Sequence, residues 1–309
     1  MGEYLGLDLG GTLIKYALMN ENGEIIEKGN VPSPMSGIED VMEAVKKAAE
    51  PFEGRFEGVA VSMPGRIDTA NGIAHTGGAF MFIHDMPFAQ LISEALGKPC
   101  TIANDGKCAA KAELENGALS DVDSGAVVVI GTGIGGGIVL DHKVWMGSTF
   151  AGGEFSLLVA DMDLLTSGPL DFMGGGIRAL WAGRASTGVL LGTYKAMKQG
   201  KVEGELNGIT FFEAYDAGDE MAHAALEMIG KNAAAGIYSV QSVLDLQRFA
   251  IGGGISARPE VTEVIRRELD QIFENVMFTP FSKPEIVTCV HHNDANLIGA
   301  LGFYLDQNK

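Results

Sequence analysis

The sequence predicts an α/β fold made of two related halves, and three observations predict it. Apolar runs of strand length alternate with stretches whose apolar residues recur at helical spacing. A strand–turn–strand–turn–strand unit at residues 3–31 begins again about 120 residues later, the mark of an internal duplication. Three glycine-rich turns, Gly10-Gly11-Thr12, Gly131–Gly137 and Gly252-Gly253-Gly254, each follow an apolar strand.

Leu5–Leu9 and Leu13–Met19 read as strands, and Glu21-Asn22-Gly23 turns the chain into a third at Glu24–Val31. Ser36 and Glu39 have capping-box spacing before a helix with Val41, Val45 and Ala48 on one face. Gly58–Met63 is a buried strand stopped by Pro64-Gly65. Arg66 to Asp85 reads as a long irregular segment, a length that marks function in compact domains. A helix follows Pro87, then a strand at Pro99–Ala103. Asn104-Asp105-Gly106 opens a helix with Lys111 and Glu113 on its wetter side.

The second unit has strands at Ala126–Ile130, Ile138–Leu140 and Lys143–Met146. Residues 157–208 are the least legible, with a helix expected at Ile177–Ala185. Helical spacing returns from Met221 to Leu246. Arg248–Ile251 is a strand, and Pro259 suits the first turn of the next helix. Pro284–Val290 is a strand, and a last helix runs from about Ala295 to Leu305, capped by Asn293 or Asp294.

The 309 residues, 46% of them hydrophobic, suffice for about two domains with ample core. A net charge of -18 opposes nucleic acid as a partner, because phosphate backbones need Lys/Arg surfaces. Cys100, Cys108 and Cys289 form no C-x-x-C pair, so a disulfide framework is not expected, and Cys108 and Cys289 read as small core residues. No basic stretch precedes an apolar core at the start, and the longest uncharged run, Ser124–Leu140, is broken by glycine. A soluble, cytoplasmic protein with no membrane partner is expected.

Asp8 sits just before the first glycine turn and Thr12 just after its glycines. Amides at such a turn can approach an anion closely. Asp8 would repel a bare phosphate, so its natural partner is a phosphate-bound cation such as Mg²⁺. The turn is equally a sound plain hairpin. Two phosphate-gripping turns, with a third that lets an adenosine lie against backbone, would make an ATP site. There is no G-x-x-x-x-G-K-[ST]. Gly131–Gly136 matches G-x-G-x-x-G but opens a strand where the dinucleotide fingerprint needs a helix. Asn104-Asp105 either caps its helix or holds a carboxylate toward a site.

Asp8-Leu9-Gly10-Gly11-Thr12, Pro64-Gly65-Arg66-Ile67-Asp68, Asn104-Asp105, Gly131–Gly137, Gly147…Gly152-Gly153-Glu154, Gly252-Gly253-Gly254-Ile255-Ser256 and Asp294–Ala300 occur in the order of the ROK family of repressors, uncharacterised frames and sugar kinases. The chain resembles that family over nearly its whole length. The resemblance implies an actin-like ATPase (ribonuclease H-like, hexokinase-type) fold with two related domains flanking a cleft. Residues 1–118 with 295–309 would form the smaller, and 119–294 the larger, carrying dimerisation. It implies ATP and Mg²⁺ as cofactors, a homodimer, and transfer of the γ-phosphoryl to a sugar hydroxyl, on C6 of a hexose or β-glucoside. Asp105 would be the general base. Gly78, Asn104, Asp105 and Glu154 would bind the sugar, with Phe80 and Phe82 as an apolar wall or as core. Asp8 would serve the metal, and Gly10, Gly11, Thr12, Gly131, Thr132, Gly133 and Gly135 the phosphates. Gly253 and Gly254 would serve the adenosine.

Three features depart from the family pattern. Glu154 is followed by Phe155-Ser156-Leu157 where relatives have Glu-x-Gly-His, and no cysteine lies between Cys108 and Cys289, so the family's structural zinc is expected to be absent. The glutamate that follows the zinc loop has only Asp171 as a candidate counterpart. Zinc-free members include β-glucoside kinases, which the 77–87 stretch resembles. Leu13 stands where many members have lysine; Lys15 either substitutes or points to solvent. The alternative within the family is a sugar-sensing repressor. It needs a helix-turn-helix domain, for which the eight residues up to Asp8 leave no room, and the acidic balance opposes it.

Overall fold

The structure is a computed structural model that describes residues 2–168, 176–202 and 204–308. The chain divides into two compact units. One comprises Met1–Ser120, Gly137–Gly153 and Asn293–Lys309, the other Asp121–Gly136 and Glu154–His292.

The first sheet is built from β1 (Glu3–Leu9), β2 (Leu13–Asn20), β3 (Ile25–Pro32), β4 (Gly58–Met63) and β8 (Cys100–Asn104), in the order β3-β2-β1-β4-β8. β1 pairs antiparallel with β2 and parallel with β4, and β4 pairs parallel with β8. Leu5, Leu7 and Leu9 are wholly or almost wholly buried, and every residue of β4 is buried. Side chains covered on both faces explain why β1 from Leu5 onward and β4 are apolar apart from the buried Asp8 and Ser62, which bond each other. Each such leucine contributes about 1.5–3 kcal/mol by burial.

Helix α1 (Ile38–Ala49) buries Val41, Val45 and Ala48, as its spacing predicts. The expected capping box does not form. Gly37 is the N-cap with no side-chain bond, and the Ser36 hydroxyl instead reaches the Asp40 carboxylate. The segment from Arg66 to Asp85 is not irregular throughout. It holds a small antiparallel sheet of β5 (Ile67–Asp68), β6 (Ile73–Thr76) and β7 (His84–Met86). These strands are too short for a periodic signal. Helix α2 (Phe88–Leu96) follows.

Helix α3 (Asp105–Asn116) departs from the expected wet face. Lys111 is 9% exposed and Glu113 not at all. Glu113 accepts the Ala118 amide at 2.7 Å, and the Lys111 ammonium pairs with Asp306 at 2.6 Å. The cover over Lys111 is a helix from the far end of the chain.

The second sheet repeats the first. It consists of β9 (Gly125–Ile130), β10 (Ile134–Leu140), β11 (Lys143–Val144), β12 (Arg248–Gly252) and β13 (Glu285–Thr288), ordered β11-β10-β9-β12-β13. β10 runs antiparallel to β11, while β12 lies parallel to both β9 and β13. β11 and β13 are shorter than the sequence suggests. Between these strands lie α4 (Met162–Thr166), α5 (Ala182–Ala185), α6 (Thr187–Met197), α7 (Gly208–Asp216), α8 (Glu220–Leu244) and α9 (Pro259–Asn275). The helix expected at Ile177–Ala185 is a 3₁₀ turn at Gly176–Ala179 followed by the short α5. Trp181 separates the two, its indole N–H donating to the Asn232 carbonyl at 2.9 Å. The chain ends in α10 (Ala295–Asn308), whose Leu297, Ala300, Leu301 and Tyr304 pack with Cys108, Ala17 and Ala60. A Cβ on Gly299 would lie 1.8 Å from the Cys108 carbonyl, so glycine lets α10 lie directly on α3. Among the described residues no helix is long and apolar enough to cross a membrane.

Candidate active site

In the first unit, parallel pairing brings the candidate residues to one edge. Asp8 of β1 is level with Ser62 of β4, and Ser62 with Ala103 of β8. Asn104 and Asp105 follow at once, so both carboxylates stand at the carboxyl end of the same parallel strands, where open α/β sheets bind ligands. The Cys108 thiol is wholly buried. Burial pushes its pKa well up, and the nearby charges of Asp8 and Asp105 push it further.

Asp8 is buried. Its Oδ1 accepts from Ser62 Oγ at 2.9 Å and from Asn296 Nδ2 of α10 at 3.1 Å. Its Oδ2 lies 3.6 Å from the Lys15 ammonium. Lys15 therefore faces Asp8 across the hairpin. The turn itself is tied by Gly10 N–H to the Leu13 carbonyl at 3.1 Å and by Ser33 N–H to the Thr12 carbonyl at 3.0 Å. Gly11 and Thr12 remain exposed at its tip. One fixed carboxylate beside an exposed hairpin tip suits Mg²⁺, which takes one or two carboxylates and fills its shell with phosphate oxygens and water. Among the described residues no cluster of three or more His, Cys, Asp or Glu is arranged to hold a metal.

Asp105 is the first residue of α3. Its Oδ1 accepts from the Gly106 amide at 2.8 Å and from Asn104 Nδ2 at 2.9 Å. Asn104 caps α3 by accepting the Lys107 amide at 3.1 Å, and its Nδ2 also donates to the Gly65 carbonyl at 3.0 Å. Capping and site roles are thus not exclusive: Asn104 caps while orienting Asp105. Gly78 has φ of 58°, and a Cβ there would press on the Pro64 ring at 2.7 Å. The fold alone accounts for that glycine. Phe80 is wholly buried and Phe82 packs against the same core, so both are core residues.

Sequence reasoning missed His75 in this unit. Its Nδ1 meets Asp85 Oδ1 at 2.6 Å, and its ring stacks on Phe150 with centroids 5.9 Å apart. The hydrogen bond from His75 holds the Asp85 carboxyl below its usual range. Phe150 is too distant in the chain for any spacing signal.

In the second unit, Gly131, Thr132 and Gly254 line a cavity of about 870 Å³. Other walls are mainly apolar and come from α6 and α7, including Leu191, Ile209 and Phe212. That volume is in the range of small-molecule sites. Arg258 lies at the cavity with its guanidinium 4.7 Å from the centre of the Phe212 ring, and it grips Asp216 with two hydrogen bonds of 2.6 and 2.9 Å. That grip holds the Asp216 carboxyl below its usual range. Gly131 accepts the Thr187 amide at 2.9 Å, which fixes the glycine loop to the start of α6. Its glycines divide into two kinds. Gly253, at φ 96° and with a Cβ position 2.2 Å from the Ile130 carbonyl, is required by the fold. Cβ atoms on Gly133 and Gly254 would meet nothing within 4 Å, and one on Gly135 only ordinary contact. Packing does not account for these three.

Glu154 is exposed and precedes a 3₁₀ turn at Phe155–Leu157, accepting the Ser156 hydroxyl. Phe155 is buried edge-on against Trp181. Asp171 lies outside the described residues. The cavity walls from α6 and α7 were missed. Their signals were local caps: Ser186, which accepts the Val189 amide, and the Asn207–Thr210 capping box.

The sequence model of the ROK family matches residues 4–307. A β-glucoside kinase of Klebsiella pneumoniae is 28% identical over 297 residues, 95% of this chain and 93% of that one. An N-acetylmannosamine kinase of Haemophilus influenzae strain 86-028NP is 30% identical over 305 residues, 96% of this chain and 93% of that one. Among solved structures, a ROK family protein from Streptococcus pneumoniae in complex with sucrose has a TM-score of 0.80 at 27% identity, covering 99% of both chains.

Proposed function

This chain belongs to the ROK family, and from that premise we propose that it is a sugar kinase which transfers the γ-phosphoryl group of ATP to a sugar hydroxyl. The observation that carries the reading is the placement of Asp8 and Asp105 at the carboxyl end of the parallel strands β1, β4 and β8 of one sheet.

Each residue then has a role. Asp105 accepts the proton of the attacking hydroxyl. Two donors on its Oδ1 fix the plane of the carboxylate. The transition state of phosphoryl transfer is loose and asks mainly for positioning. Asp8 holds Mg²⁺, which supplies charge neutralisation on the phosphates when bound. Gly11 and Thr12 present backbone and hydroxyl donors to phosphate on a turn closed by the Gly10 amide, as do Thr132, Gly133 and Gly135 of the second unit on a turn closed by the Gly131 amide. The cavity bounded by Gly254 and Phe212 takes the adenosine. On the acceptor side, Asn104 orients the base, and Gly78 and Glu154 contact the sugar.

The acceptor is a hexose or β-glucoside, a reading supported by the β-glucoside and N-acetylmannosamine kinases among the relatives, and the family resemblance puts the reacting hydroxyl on C6. The test is ADP release with ATP and Mg²⁺ across glucose, cellobiose, fructose, mannose and N-acetylmannosamine. Sugar-dependent release with at least one of them is expected. Sugar binding without ADP release would instead make the protein a sensor, and no response to any sugar would refute the assignment.

A further inference from the structure

The two oxygens of Asp8 are held differently. Oδ1 accepts from Ser62 at 2.9 Å and from Asn296 at 3.1 Å, so the carboxylate cannot rotate. Oδ2 has the Lys15 ammonium, supplied by the residue directly opposite in the β1–β2 register. Their 3.6 Å separation is inside ion-pair range and beyond the 2.7–3.2 Å of an N–H···O hydrogen bond. The Lys15 side chain is 43% exposed and that of Asp8 only 9%. The ammonium, on its flexible stem, can swing away; the carboxylate is locked in place.

We propose that Lys15 is a positioning residue that guards Oδ2 of Asp8 in the resting protein and yields it only to a cation arriving with a nucleotide. This inference rests on the ATP–Mg²⁺ reading above. A bare divalent ion taking Oδ2 gains one carboxylate oxygen and must displace a like charge, an exchange with little to favour it. A metal–nucleotide complex brings anionic phosphate oxygens that compensate the displaced ammonium. Lys15 therefore weakens binding of the bare ion and strengthens binding of the loaded one. A lysine that merely propped the hairpin, or one turned to solvent, would do neither.

The opposite signs make the test. The probe is Mn²⁺, followed by electron paramagnetic resonance on the full chain, alone and with a non-hydrolysable ATP analogue. Lys15→Met should bind bare Mn²⁺ about fivefold tighter and the Mn²⁺–analogue complex about tenfold more weakly, the scale of one partly exposed ion pair. Lys15→Arg, which keeps the charge, should stay near wild type in both. Affinities in Lys15→Met that move together, or do not move, overturn the inference, as does an arginine variant that behaves like the methionine one. These measurements need no turnover. A failed kinase assignment shows separately, as wild-type protein that binds the Mn²⁺–analogue complex and phosphorylates no sugar.

Discussion

Asp8 and Asn296 stand 288 residues apart in the chain and meet at 3.1 Å. The donor comes from the second residue of α10, which lies on α3 and so reaches β1 beside it. The end of the chain thereby fixes the carboxylate at its beginning. Asn296→Ala removes a part-buried hydrogen bond to a charged group, which costs about 1.5–3 kcal/mol. Urea unfolding should show that loss, and the apparent affinity for Mg²⁺–ATP should fall with it. Unchanged stability and unchanged nucleotide affinity would show that Ser62 alone suffices.

Asp105→Ala should fold normally, because Asn104 rather than Asp105 caps α3. Phosphorylation should drop by about 10²–10⁴, the usual contribution of a positioned base. Steady-state turnover with circular dichroism on the same sample checks both parts. Near-normal turnover would remove Asp105 from its proposed role.

Adjacent glycines should respond in opposite ways. Gly253→Ala forces a Cβ onto the Ile130 carbonyl at a left-handed φ and should lower the melting temperature by several degrees or prevent folding. Gly254→Ala meets no atom of the protein and should leave the melting temperature unchanged. Its methyl group would occupy the cavity wall, so KM for ATP should rise. Thermal melts and ATP titrations of the two variants separate fold from site.

Acid should expose the contribution of Asp219, the N-cap of α8. The hydrogen bond from Lys198 holds its carboxyl at about 2, below the ordinary 3.8. A depressed folded value means the stabilisation is fully present above the unfolded value and is lost as pH falls through the folded one. The stability difference between wild type and Lys198→Met should therefore be constant near neutral pH and shrink between about pH 4 and pH 2. A difference that persists undiminished at pH 2 would assign the effect to packing of the lysine stem.

The sequence alone determined the alternation of strands and helices, the duplicated unit and the places where glycine ends a strand. These are carried by neighbours in the chain: burial on both faces of β1 and β4 demands continuous apolar residues, and turns demand glycine. It also put Asp8 and Asp105 at strand ends. Partners from distant parts of the chain were decided only by the tertiary structure. Lys15 could face either side of β2 until the register set it opposite Asp8. Lys111 reads as part of a wet face because the helix that buries it is α10, whose Asp306 is 195 residues from Lys111, while Glu113 is spent on the Ala118 amide just past the end of its own helix. The cavity walls on α6 and α7 lie in a stretch that carries cap residues but weak apolar periodicity. Spacing records what one element buries; it does not record which other element does the burying.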